Sequence, residues 1–137
     1  MPVGLGAREL GLGSLSAMSE EPPAEDIQLE PARVVELVAE GAVLIDVRRD
    51  YEWEGGRIAG ARHIEVNDLV AESESIPKDR PVVFYCRGGN RSAMAAAAFR
   101  EAGYDAHNMA GGLQAWVDAG REIEPADGEV RTPLPAS

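Results

Sequence analysis

"VVFYCRGGNRSAMAAAAFREAG", residues 82–103, runs from an unbroken apolar segment through a glycine-arginine loop into an alanine-rich helical pattern. Strands covered on both faces, as in a parallel sheet, lose the alternation of polar and apolar residues and read like "VVFYC". The alanine run of residues 91–103 combines high helix propensity with little bulk, which suits close packing against a sheet. Its expected apolar stripe is Met94, Ala98, Phe99 and Ala102, with Gly103 ending the helix. The segment thus predicts a strand, a tight loop and a helix in succession.

Working outward, "VLIDV" (43–47) is a second buried-strand run, and "PARVVELVAEG" (31–41) is a helix opened by Pro31 and closed by Gly41. Val34, Leu37 and Val38 are expected on its buried face. A third helix, "LQAWVDAG" (113–120), is entered through Gly111 and Gly112, and shorter strands are expected at 27–29, near His63 and Ile64, and at 105–108. Strands alternating with helices predict an α/β fold, a single doubly wound, mainly parallel sheet flanked by helices. Ligands bind such sheets just beyond the carboxyl ends of the strands.

Cys86 falls at that point. It is the only cysteine among 137 residues, and Arg87, Gly88, Gly89, Asn90 and Arg91 follow it directly. Positive surroundings and a helix N-terminus lower a thiol's pKa and populate the nucleophilic thiolate. The glycines let backbone N–H groups turn inward as an anion nest. The loop therefore reads as a cradle for a reactive sulfur.

Composition narrows the function further. A net charge of −11 argues against nucleic acid, whose binding needs a concentrated basic surface. Lys78, Arg80, Arg87, Arg91 and Arg100 stand against Asp79 alone between positions 78 and 100, which predicts a local positive pocket suited to a small anion. No internal disulfide is possible with one cysteine, so a reducing, cytoplasmic setting is expected. His63 and His107 lie far apart, and no metal-ligand cluster or cofactor motif is expected. No apolar stretch approaches the length of a membrane span. Residues 1–26, with Glu20, Glu21, Glu25 and Asp26, read as a solvated, flexible tail in which Met18 is a second candidate start; residues 125–137 read likewise.

Three ordered motifs then resemble the rhodanese-like domains, the thiosulfate sulfurtransferase family, across residues 27–124. "YCRGGNRS" resembles that family's active-site loop, "DVRRDYEWEGGRIAGARHI" (46–64) its upstream signature, and "MAGGLQAW" (109–116) its closing element. Arg57 stands where the family usually has histidine, and Ala59 where it usually has proline. The resemblance implies that Cys86 takes the outer sulfur of a small anionic donor such as thiosulfate as a persulfide. An external thiol, cyanide or a sulfur-acceptor protein then receives it. It implies that Arg87 and Arg91 bind the donor's charge and that the amides of residues 87–91 hold the persulfide; for Arg91, pairing with the upstream acids such as Asp46 and Glu52 is the alternative reading.

Plainer roles are expected elsewhere. Asp46, Arg48 and Glu52 read as a structural ion network, His63 and His107 as packing or surface residues, and Trp53 and Trp116 as core or rim. Two rival functions stay open. Phosphatases and arsenate reductases on related folds place cysteine in a Cys-x5-Arg loop, one residue longer than the spacing from Cys86 to Arg91. A non-catalytic binding or sulfur-relay module is the other.

Overall fold

The computed structural model describes residues 26–132. Five parallel strands form one sheet: β1 (Gln28–Leu29), β2 (Val43–Asp46), β3 (Arg62–His63), β4 (Val82–Tyr85) and β5 (Ala106–Met109). Their spatial order is β1-β5-β4-β2-β3. β4 lies between β2 and β5, with Val43 opposite Val82 and Asp46 opposite Tyr85 on one side, and Val82 opposite Ala106 on the other.

The unbroken apolar run is explained by this central place. Successive strand residues point to opposite faces, and both faces of β4 are covered. Val82 and Phe84 pack in a cluster with Ile45, Ala95, Ala96 and Phe99. Val83 and Tyr85 pack in a second cluster with Val34, Leu37, Leu113 and Trp116. The helices α1 (Pro31–Ala39) and α4 (Gly112–Asp118) therefore cover one face, and α3 (Asn90–Glu101) covers the other.

The buried stripe of α3 is Ser92, Ala95, Ala96 and Phe99, while Met94 is 76% exposed. Three of these four are small, which lets the helix sit close to the sheet, and Phe99 is the one large side chain that turns inward. On α1, Val34 and Leu37 are buried but Val38 is exposed. A short helix, α2 (Asp50–Gly55), was not foreseen; it is entered where the Glu52 carboxylate accepts from the Arg49 amide at 3.2 Å.

The segment from 125 to 132, expected as part of a free tail, folds back onto α2. The Glu129 amide donates to Gly55 O at 2.8 Å, and the Arg131 guanidinium lies 4.5 Å over the Tyr51 ring. An antiparallel bridge between Arg57 and Glu124 leads into it. Residues 1–25, including Glu20, Glu21, Glu25 and Met18, and residues 133–137 lie outside the described residues.

Candidate active site

The loop after β4 carries Cys86 to the N-terminus of α3. Gly89 is the N-cap residue with φ 105°, a left-handed conformation that favours glycine. This turn aims the Gly89 amide at Cys86 Sγ, 3.1 Å away. Ser92, on the first turn of α3, brings its hydroxyl to 3.3 Å from the same sulfur. The sulfur is buried and stands at the positive end of a helix dipole.

Burial by itself pushes the Cys86 thiol up. Hydrogen bonds from the Ser92 hydroxyl and from the Ser92 and Gly89 amides, with the Arg91 charge, outweigh it, and the pKa falls below its ordinary value. The depressed pKa makes the thiolate a source of stability above the unfolded-state value, lost as pH falls through the folded one. The pH profile of iodoacetamide alkylation, unambiguous with one cysteine, should show a midpoint below the free-thiol value of about 8.5. A midpoint at or above that value would mean that desolvation wins.

The loop is held from outside by α4. Leu113 N donates to Cys86 O at 2.8 Å and Gln114 N to Arg87 O at 3.1 Å. This approach explains Gly112: its φ is 62°, and a side chain there would run into the carbonyls of Cys86 and Arg87. The glycine pair of "MAGGLQAW" thus serves the cysteine loop across space. From β5, Asn108 Nδ2 donates to Gly89 O at 3.2 Å.

The expected site residues separate into different positions. Arg87 follows the cysteine, and its Nε is buried with no hydrogen-bond partner among the described residues. Leaving such a donor unpaired is unfavourable by about 1–3 kcal/mol. Arg91 instead forms a two-point pair with Glu52, Nη1 to Oε2 at 2.9 Å and Nη2 to Oε1 at 3.0 Å. Burial would raise the Glu52 carboxyl, but Arg91 and the Arg49 amide hold it below its ordinary value. Gly88 has open space around it, and Asn90, at the first position of α3, is exposed.

The expected network of Asp46, Arg48 and Glu52 divides into two pairs. Arg48 Nη2 lies 2.7 Å from Asp46 Oδ2, with both side chains fully buried, while Glu52 turns to Arg91. The predicted cluster of five cations also disperses. Lys78 sits over the Tyr104 ring, Arg80 pairs with Asp79, and Arg100 donates to Ala106 O at 2.7 Å. Arg87 and Arg91 remain at the loop.

His63 stacks on Trp53 with ring centroids 4.7 Å apart, and His107 is buried beside Asp105, both in packing roles. Trp116 is buried and donates to Glu122 O. Asp50, His63 and Glu65 place three ligand atoms near one another, a grouping the sequence reading did not anticipate. No helix among the described residues is long and apolar enough to cross a membrane. Ser92 and Asn108 were missed as site residues. Ser92 had a usable signal, a hydroxyl one turn into the helix that follows the cysteine; Asn108 had none, because it reaches the loop only through the pairing of β4 with β5.

Residues 30–119 match the family described as the Rhodanese-like domain. The uncharacterized protein YqhL of Bacillus subtilis is 42% identical over 76 residues, 55% of this chain and 60% of that protein. Thiosulfate sulfurtransferase GlpE of Pseudomonas aeruginosa is 33% identical over 101 residues, 73% of this chain and 88% of that protein. Among solved structures, a rhodanese-related protein from Thermoplasma volcanium superposes with a TM-score of 0.67 at 26% identity, covering 72% of this chain and 97% of that one. With the cysteine loop, its flanking glycines and the parallel sheet all in place, the chain belongs to the rhodanese-like domain family.

Proposed function

We propose that this chain is a sulfurtransferase that moves a sulfane sulfur through a persulfide on Cys86, with thiosulfate as a donor. The observation that carries the reading is the placement of Cys86 Sγ, which receives the Gly89 amide and the Ser92 hydroxyl at the start of α3. A thiolate so held attacks the outer sulfur of thiosulfate. A new S–S bond forms, the old one breaks, and sulfite leaves with the electron pair. The terminal sulfur then passes to cyanide, an external thiol or a sulfur-acceptor protein, and the thiolate returns. An external acceptor is required because no second cysteine resolves the persulfide within the chain. A lone thiol suits a reducing, cytoplasmic setting.

The Cys86–Arg91 spacing supports sulfur transfer over phosphate chemistry, since the loop is one residue shorter than Cys-x5-Arg. Turnover of thiosulfate and cyanide to thiocyanate and sulfite, without hydrolysis of p-nitrophenyl phosphate, is the expected result. Phosphatase activity without sulfur transfer would overturn the reading.

Arg87 is assigned to the donor's charge because Arg91 is already occupied by Glu52. A charge-assisted hydrogen bond is worth about 1.5–3 kcal/mol. Arg87→Ala should therefore lower kcat/KM for thiosulfate by about ten- to a hundredfold, and lower use of an uncharged persulfide donor much less. Equal losses with both donors would show that Arg87 shapes the loop instead.

A further inference from the structure

Two acceptors beside the loop face one proton. Ser92 Oγ lies 3.3 Å from Cys86 Sγ and 2.5 Å from Asn108 Oδ1, and a hydroxyl has a single hydrogen to donate. The Asn108 amide is not free to turn over. Its Nδ2 donates to Gln28 Oε1 at 2.8 Å and to Gly89 O at 3.2 Å; a reversed amide would set its oxygen against the Gly89 carbonyl. Ser92 and Asn108 are both buried, so bulk water does not replace either partner.

The two states of the sulfur use this proton differently. While Cys86 is neutral, the Ser92 hydroxyl donates to Asn108, and the thiol S–H is free to donate to Ser92 Oγ. Once the sulfur is charged it is the stronger acceptor. The hydroxyl turns to it, and Asn108 Oδ1 loses its donor. Ionisation therefore requires giving up the Ser92–Asn108 bond.

We propose that Asn108 is a positioning residue for Cys86, competing for the Ser92 hydroxyl proton and so setting how much thiolate the loop holds at a given pH. The proposal rests on Cys86 being the working nucleophile. It has a chemical use: a thiolate's intrinsic nucleophilicity falls as its pKa falls, so a competitor for the proton prevents over-stabilisation of the sulfur anion.

None of the other charged and titratable groups around the loop is hydrogen-bonded to the Asn108 side chain, whose partners are Ser92, Gln28 and Gly89. Those groups are Arg87 in the loop, Arg91 on α3 with Glu52 of α2, the Asp46–Arg48 pair from the end of β2, and Tyr85 on β4. On β5, His107 bonds to Asp105 and the Asp26 carbonyl.

The test is the thiol midpoint, read from iodoacetamide alkylation against pH, in Asn108→Leu, Ser92→Ala and the double variant. Asn108→Leu should lower the midpoint by about half to one pH unit, roughly three- to tenfold more thiolate below it. Ser92→Ala should raise the midpoint, and adding Asn108→Leu to it should change nothing further. An unmoved midpoint in Asn108→Leu, or the same downward shift with and without Ser92, would overturn the proposal, the latter by showing that Asn108 acts through Gly89. If circular dichroism shows that Asn108→Leu does not fold, Asn108→Asp replaces it. The carboxylate is the stronger acceptor and should raise the midpoint more with Ser92 present than in Ser92→Ala; equal rises would overturn the proposal. No sulfur donor enters these measurements, so they stand apart from the outcome of the transfer assay.

Discussion

Cys86→Ser is expected to reduce sulfur transfer to background while leaving the fold standing. The exchange replaces one buried atom by a smaller one, and the Gly89 amide and Ser92 hydroxyl that meet Sγ can meet an oxygen instead. A hydroxyl is a weak nucleophile without a general base to activate it, and none is bonded to Sγ among the described residues. It also cannot form the S–S bond on which the proposed transfer depends. The loss should therefore be complete for thiosulfate and for any other sulfane donor, with a stability change of no more than about 1–2 kcal/mol. A thiocyanate assay and a thermal melt on the same preparation read the two halves. Substantial activity in the folded variant would remove the persulfide from the mechanism.

The largest effect on stability is expected from Arg48→Met. Arg48 and Asp46 are fully buried, and the guanidinium grips the carboxylate at two points, Nε to Oδ1 at 2.9 Å and Nη2 to Oδ2 at 2.7 Å. The Arg48 amide donates to the same carboxylate, and Nη2 also reaches Gly56 O. The pair thereby ties the end of β2 to the end of α2, beside the strand that delivers Cys86. Burial raises the Tyr85 hydroxyl pKa well above its ordinary value, and the Asp46 charge raises it further. Removing the arginine leaves a buried carboxylate uncompensated, a change that destabilises by about 3–5 kcal/mol. Urea unfolding should show a loss of that size. A loss below about 1 kcal/mol would mean that water or another cation reaches Asp46.

The central fold was legible because its signals are local. The unbroken run of β4 requires cover on both faces, and Gly89 after Cys86 can take the left-handed conformation that enters α3. Pro31 and Gly41 bracket α1 for reasons of backbone conformation alone. What failed to show depends on contacts between distant residues. The α2 stretch "DYEWEG" has no apolar stripe and is too short to declare itself by periodicity. For Arg91 the sequence leaves donor binding and pairing with the upstream acids both open, and only the fold singles out Glu52, 39 positions earlier, as its partner. The cations from 78 to 100 are neighbours in sequence but point to separate partners, because strand, loop and helix carry them in different directions. Asn108 enters the site only through sheet order.

Intact-mass analysis of the chain after incubation with thiosulfate is the most direct measurement of the central claim. The wild type should gain the mass of one sulfur atom, removed by cyanide, and Cys86→Ser should gain none. An unmodified wild type, or the same gain on both proteins, would contradict that claim.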